Sequence, residues 1–123
     1  RDAMANIFMK SSWGSDDPTR AAMAFDHGNA LAKAGHHVRI FLLGEAAVLA
    51  RSVIREGLFP VGWPPLADQW RESVALGIRI EICGACAKAR GVSGEEIAAS
   101  NAIIGTPVSF VADVEWSDKI IAE

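Results

Sequence analysis

A strand pattern passes directly into a helix pattern in the stretch Ile78-Arg79-Ile80-Glu81-Ile82-Cys83-Gly84-Ala85-Cys86-Ala87-Lys88-Ala89-Arg90-Gly91. In residues 78–82 isoleucine alternates with a charged residue, which predicts a strand with one face on the core and the other face in water or against a partner. Residues 83–91 are predicted to end this strand and to form a short helix that stops at Gly91. A strand followed directly by a helix is the unit from which α/β folds are built.

The same alternation extends in both directions from this stretch. Asp17 followed by Pro18 marks the start of one helix, and Ser93 with Glu96 forms the capping-box pattern of another. Strands are predicted at residues 6–10, 37–43, 102–104 and 119–121, and further helices at residues 18–34, 45–56, 67–76, 93–101 and 106–114. Because strands that alternate with helices pair in parallel, we predict an α/β fold: a three-layer α/β/α sandwich around a mainly parallel five-stranded sheet.

The composition predicts one domain that binds neither a membrane nor nucleic acid directly. The chain has 123 residues and a formal net charge of −3, the size of a single domain and a charge that does not favour nucleic acid. We place the domain at residues 4–123, with Met4 as the natural start and residues 1–3 as a remnant ahead of it. Neither a membrane-spanning segment nor an export signal is visible. For the two cysteines we therefore expect reduced thiols and a cytoplasmic location.

Several common functional motifs are missing. The first strand is not followed by G-x-G-x-x-G, and the chain contains neither a P-loop nor an H-E-x-x-H zinc motif. The spacing Cys83-x-x-Cys86 has no second ligand pair, so we predict no metal site and no cofactor. The two thiols are what remains for chemistry.

Cys83 is the predicted nucleophile. It follows the strand at the sheet edge where α/β proteins place their ligands, and it precedes a helix whose N-terminus is expected to lower the pKa of the thiol. Gly84 leaves the backbone open beside the sulfur, while Lys88 and Arg90 add positive charge. We therefore predict a reactive thiolate at Cys83, although an unused core cysteine is the alternative.

Cys86 stands three residues after Cys83 and is predicted close to the same helix face. It is positioned to attack a species formed on Cys83, but it fits a buried structural cysteine equally well. The loop after the first strand reaches the same sheet edge, so Ser15 and Asp16 are predicted to border the site.

Three segments give the chain a resemblance to a known family. They are Ser12-Trp13-Gly14-Ser15-Asp16-Asp17-Pro18, residues 34–42 with Gly44 and Val48, and Ile82-Cys83-Gly84-Ala85-Cys86-Ala87-Lys88-Ala89-Arg90-Gly91-Val92. The chain resembles the DsrE/DsrF-like family, which includes sulfur-relay subunits of the TusBCD and DsrEFH types. The third segment is the most specific, because the sulfur-carrying cysteine of the family stands eight residues before the glycine of an R-G motif, the position of Cys83.

The resemblance implies a homotrimeric or hexameric assembly and a persulfide carried on Cys83. The predicted function is a sulfur carrier, similar to a sulfurtransferase, that takes sulfur from a donor protein and passes it to the thiol of an acceptor. Cys86 departs from the single-cysteine pattern of the relay subunits, which leaves open a dithiol redox protein that uses Cys83 and Cys86. A non-catalytic oligomeric module that binds a small ligand is the other alternative. Half of the residues are hydrophobic, and we expect part of this excess to form a subunit interface.

Overall fold

The sheet contains five strands that all run in parallel, as predicted. The computed structural model describes residues 4–123, so the predicted remnant at residues 1–3 lies outside the described residues. The strands are β1 (Asn6–Ser11), β2 (His37–Leu42), β3 (Arg79–Cys83), β4 (Ile103–Gly105) and β5 (Lys119–Ala122). Their order across the sheet is β4-β3-β2-β1-β5. The carboxyl ends of β1, β2, β3 and β4 therefore meet at one edge of the sheet.

The helices follow the predicted order, with one difference. They are α1 (Pro18–Lys33), α2 (Ser52–Glu56), α3 (Leu66–Ala75), α4 (Gly84–Ala89), α5 (Gly94–Ala99) and α6 (Pro107–Trp116). The single helix predicted at residues 45–56 is wrong, because a 3₁₀ helix at Gly44–Ala50 precedes α2 and the two are separated at Arg51. Arg51 is extended, with φ −87° and ψ 120°, and its guanidinium Nη2 donates to the carbonyl of Gly91. This tertiary contact was not visible in the apolar spacing of the segment.

The larger part of the core lies on one face of the sheet. Side chains of β1, β2 and β3 that point to this face are buried under α1, α3 and the 3₁₀ helix: Ile7, Met9, Ile40, Leu42, Ile80 and Ile82. The rings of Phe25 on α1 and Trp70 on α3 pack with their centroids 5.2 Å apart. Trp70 Nε1 donates to the carbonyl of Ser100, which ties α3 to the end of α5.

The opposite face of the sheet packs against α6. Phe110 of α6 contacts Phe8 and Phe41 edge to face, with ring centroids 5.4 and 5.5 Å away. Both of these phenylalanines are buried. The second helical layer completes the predicted three-layer sandwich.

The charged face of β3 differs from the prediction. Arg79 is exposed, but the side chain of Glu81 is 0% exposed because α6 covers it. The expectation that this face is in water or against a partner is therefore wrong at Glu81, which lies inside the chain's own fold.

Of the helices in residues 4–123, none is long and apolar enough to cross a membrane.

Candidate functional site

A groove of about 420 Å³ opens at the edge of the sheet where the strands end. Cys83 is the last residue of β3, and Gly84 is the first residue of α4. Both line the groove, which continues along the carboxyl ends of β1 and β2 to the first turns of α6. This is the edge at which open parallel sheets hold their ligands. The structure thus places one predicted catalytic residue and one predicted binding residue in a cavity.

The Cys83 thiol is held at the strand-to-helix turn. Its Sγ accepts a hydrogen bond from the backbone N–H of Cys86 over 3.4 Å, so Cys83 caps α4 with its own side chain. The side chain is partly buried. Access for a reactant is retained while the sulfur is held in one place.

The pKa of Cys83 shifts in the direction opposite to the prediction. Partial burial raises the pKa above its ordinary value, and the Cys86 thiol beside it raises the pKa further. The backbone N–H groups of Cys86 and Ala85 favour the thiolate but do not reverse the shift. The removal of the sulfur from water is the larger influence on this thiol.

Cys86 is the neighbour of Cys83 on α4 but is not part of the groove wall. Both cysteines are free thiols. Cys86 packs against the main hydrophobic core, and its N–H contacts the Cys83 sulfur. This position is compatible with two roles: Cys86 is a second thiol that reacts with a species on Cys83, or it is a structural cysteine of the core.

Ser15 and Asp16, which were predicted to border the site, do not line the groove. Ser15 Oγ donates to Glu45 Oε2 over 3.4 Å, and Asp16 Oδ1 accepts from the backbone N–H of Gly14 over 2.8 Å. Gly14 has no space for a side chain, because a Cβ there would stand 2.2 Å from the carbonyl oxygen of Glu45. This loop is therefore pressed onto Glu45 instead of onto Cys83.

The two predicted cations also lie outside the groove. Arg90 Nε donates to Glu45 Oε1 over 3.0 Å, and its Nη1 donates to the carbonyl of Cys86 over 3.2 Å. Lys88 is exposed in the last turn of α4 and forms no ion pair with residues 4–123. The structure brings Ser15 and Arg90 together on Glu45. This polar network borders α4 and contributes no charged side chain to the groove.

The groove contains functional candidates that the sequence reasoning missed. Lys10 from β1 places its Nζ 5.6 Å from the ring centroid of Phe110, between the end of the sheet and α6. Phe41 and Gly105 form part of the wall, and a Cβ at Gly105 would stand 2.6 Å from the Phe41 ring. The one sequence signal for this wall is Lys10 itself, a charged residue that follows the apolar run of the first strand.

Groups of three or more His, Cys, Asp or Glu side chains that could hold a metal ion are not found in residues 4–123. His27, on α1, is directed to Glu123, with 2.5 Å between Nδ1 and Oε1. His36 Nδ1 accepts from the backbone N–H of Ala5 at the other end of the sheet.

Residues 5–122 match the DsrE/DsrF-like family. An uncharacterized protein of Methanocaldococcus jannaschii, MJ0989, is 29% identical over 87 residues, which cover 71% of this chain and 72% of that protein. The ychN protein from E. coli superimposes with a TM-score of 0.78 at 17% identity, over 98% of this chain and 100% of that one. BT1422 from Bacteroides thetaiotaomicron superimposes with a TM-score of 0.69 at 19% identity, over 99% and 100%. These two structures share the fold of this chain.

Proposed function

The chain belongs to the DsrE/DsrF-like family, and from this premise we propose that it is a sulfur carrier that holds a persulfide on Cys83 and passes the sulfur to a partner thiol. Membership in this family implies a role in sulfur relay. The observation that carries the proposal is the position of Cys83, a partly accessible free thiol at the strand-to-helix turn that opens into the groove. A carrier needs a sulfur atom that a second molecule can reach and that the fold holds in a fixed place.

The transfer is a pair of displacements at sulfur. The Cys83 thiolate attacks the outer sulfur of a donor persulfide, a new S–S bond forms at Sγ, and the donor leaves as its thiolate. The thiolate of an acceptor then attacks the outer sulfur on Cys83 and releases the Cys83 thiolate. The sulfane sulfur keeps its oxidation state throughout, so this chemistry needs neither a metal nor an organic cofactor. Because the pKa of Cys83 is raised, the rate of loading should increase as the pH rises above neutrality.

The second thiol supports an alternative, a dithiol redox protein. Cys86 can attack Sγ of a persulfide on Cys83, which forms the Cys83–Cys86 disulfide and releases hydrogen sulfide. Cys83 is the N-cap residue of α4 and Cys86 lies in its first turn, so the two side chains are neighbours at the start of the same helix. The Cys86 thiol lies beside the Cys83 thiol and helps to raise its pKa, and this proximity of the two thiols favours the candidate.

The experiment is a measurement of intact mass after the reduced protein is treated with inorganic polysulfide and freed of excess reagent. We expect one added sulfur atom in the wild type and in Cys86→Ser, and none in Cys83→Ser. If Cys86 resolves the persulfide, the added sulfur should persist longer in Cys86→Ser than in the wild type.

Other outcomes contradict the carrier. A wild type that loses two hydrogens and forms a reversible Cys83–Cys86 disulfide, without retaining sulfur in either form, supports the redox protein. If the wild type takes up no sulfur, or if Cys83→Ser takes up as much as the wild type, the result supports the non-catalytic binding module.

We also propose that the chain forms a homo-oligomer, a trimer or a hexamer, and exchanges sulfur with donor and acceptor proteins. Exposed apolar side chains on α6 and on the edge strands support self-association. They include Val108, which is 80% exposed, and Ile120, which is 50% exposed.

A further inference from the structure

We infer that the groove beside Cys83 binds a low-molecular-weight organic persulfide with an apolar body and one anionic group, and that Lys10 recognises the anion. This inference rests on the proposed function, since it names the class of molecule that delivers sulfur to the same cysteine. It adds a binding residue on β1 and a substrate class to the proposed carrier.

The size and the walls of the groove fit a small molecule. Its volume of about 420 Å³ falls within the range of roughly 300–1,000 Å³ that is usual for small-molecule sites. The walls are mostly apolar and are formed by Phe41, Leu43, Pro107, Phe110 and Val111. An apolar body of a few carbon atoms would replace water against these side chains.

Among the described residues that line the groove, Lys10 is the one charged residue. None of the side chains that line it is acidic, and Lys10 forms no ion pair with the part of the chain that the structure describes. The Lys10 ammonium instead lies 5.6 Å from the centroid of the Phe110 ring. An ammonium group in apolar surroundings without a carboxylate partner favours an anionic ligand, because the anion accepts a charge-assisted hydrogen bond from the ammonium.

Register places the charge and the thiol on the same face of the sheet. Lys10 pairs with Phe41 and Phe41 with Glu81, and Cys83 follows Glu81 by two residues. Two strand spacings and the rise of two residues put the Cα atoms of Lys10 and Cys83 about 12 Å apart. A ligand with its anion at Lys10 therefore directs its other end to the Cys83 sulfur.

The reaction of such a ligand balances without a further reactant. The Cys83 thiolate attacks the outer sulfur of R–S–SH, and the pair of electrons of the broken S–S bond leaves on R–S⁻. The products are the Cys83 persulfide and the thiolate of the ligand. R is the apolar body that carries the carboxylate.

The test compares two donors that differ in charge at one end. The persulfides of 6-mercaptohexanoate and of 6-mercaptohexanol have the same apolar chain, and only the first carries an anion. Intact mass follows the rate at which each donor adds sulfur to Cys83 in the full chain, over a series of donor concentrations. We expect saturation with the carboxylate donor and a preference for it over the alcohol of about tenfold, the size of one charge-assisted hydrogen bond.

Charge variants identify the residue that recognises the anion. Lys10→Met should reduce the preference to about one, and Lys10→Arg should retain it, with thermal unfolding used to check that both variants are folded. Lys119→Met removes an equal charge from an exposed residue of β5 that is outside the groove. This matched control should keep the full preference.

Parallel loading with inorganic polysulfide separates this inference from the proposed function. If polysulfide loads Cys83 but the two organic donors react equally, or if Lys10→Met keeps the preference, the inference is overturned and the carrier stands. If organic donors fail and a protein persulfide loads Cys83, the groove receives a peptide and the inference is likewise overturned. If no donor loads Cys83, the proposed function itself fails.

Discussion

At the scale of single residues, two glycines shape the surroundings of the Cys83 sulfur. A Cβ at Gly84 would stand 3.0 Å from Cγ2 of Ile104, and a Cβ at Gly105 would stand 2.6 Å from two atoms of the Phe41 ring. The Phe41 ring is part of the groove wall and also of the aromatic cluster under α6. Gly105 therefore permits β4 to lie directly against the ring that borders the reactive thiol.

Gly105→Ala should destabilise the fold by about 1–3 kcal/mol, because the added methyl group has to displace a buried ring. Urea unfolding of the variant measures this loss. Gly94→Ala is the matched control, since the nearest side-chain atom to a Cβ at that position is Cδ1 of Ile104, 4.0 Å away. Equal stability of Gly105→Ala and the wild type would show that Phe41 moves without cost.

At the scale of secondary-structure elements, α6 is held on the sheet by buried charge as well as by aromatic packing. Glu81 on β3 and Asp113 on α6 are both fully buried. Arg39 Nη1 lies 3.1 Å from Asp113 Oδ1, and Arg79 Nε lies 3.8 Å from Glu81 Oε2. Within residues 4–123, both oxygens of Glu81 and Oδ2 of Asp113 lack a hydrogen-bond donor. A protonated Glu81 carboxyl group would supply the missing donor. One proton shared between the two carboxyl groups is favoured over two buried negative charges side by side.

The pKa of Glu81 is accordingly raised from 4.5 to about 7, first by burial and then by the neighbouring Asp113. The native protein then holds a proton that the unfolded chain releases, so the free energy of unfolding falls as the pH rises from about 4.5 to about 7. The stabilisation is fully present below this window, and about 3 kcal/mol of it is lost above the window. Glu81→Gln mimics the protonated form and should remove this part of the pH dependence.

Chemical unfolding of the wild type and Glu81→Gln at pH 5 and pH 8 measures the effect as a difference between the two proteins. Glu95→Gln, which removes an exposed carboxylate of α5, serves as the control and should follow the wild type. A wild type and a Glu81→Gln variant that lose stability in parallel would mean that Glu81 is ionised in the native state over the whole range.

At the scale of the whole molecule, the two faces of the sheet are covered unequally. One face lies under α1, α3 and the 3₁₀ helix, and the other packs against α6, which has ten residues. Apolar side chains on and beside α6 are exposed: Ile103, Val108, Val111 and Ile120. Ile103 pairs with Glu81 and Ile120 with Phe8, so both lie on the face of the sheet that α6 covers. Exposed apolar side chains on this side of the molecule are typical of a subunit interface, which agrees with the proposed homo-oligomer.

Val108→Glu should shift the assembly to a lower mass, because a carboxylate buried between subunits loses its hydration. We expect the apparent dissociation constant to rise by about 100-fold or more, and light scattering after size-exclusion chromatography measures the mass at several concentrations. The fold of the single chain should be unaffected, since Val108 is 80% exposed.

Val53→Glu is the matched control for this variant. Val53 is 76% exposed on α2, which packs against the helices of the other face. It should keep the mass of the wild type. A monomeric wild type, or an unchanged mass for Val108→Glu, would contradict an interface at α6.

The amino-acid sequence by itself determined the order of the elements, the parallel α/β fold and the position of Cys83 between a strand and a helix. These features follow from local signals: apolar runs, capping residues such as Ser93 and Glu96, and glycines at the ends of helices. The capping box at the start of α5 and the strand-to-helix turn at Cys83 are formed by residues a few positions apart, so the printed sequence contains all that is needed to predict them.

The tertiary structure alone decided what surrounds these elements. It placed Lys10 in the groove, directed Arg90 to Glu45 and covered Glu81 with α6. It also reversed the expected shift in the pKa of Cys83, because burial outweighs the hydrogen bonds from the backbone N–H groups of Cys86 and Ala85. In each case the partners are far apart in the chain or the effect depends on how much water is excluded. Neither the spacing nor the composition of one segment encodes such contacts, and they arise when the sheet brings distant segments together.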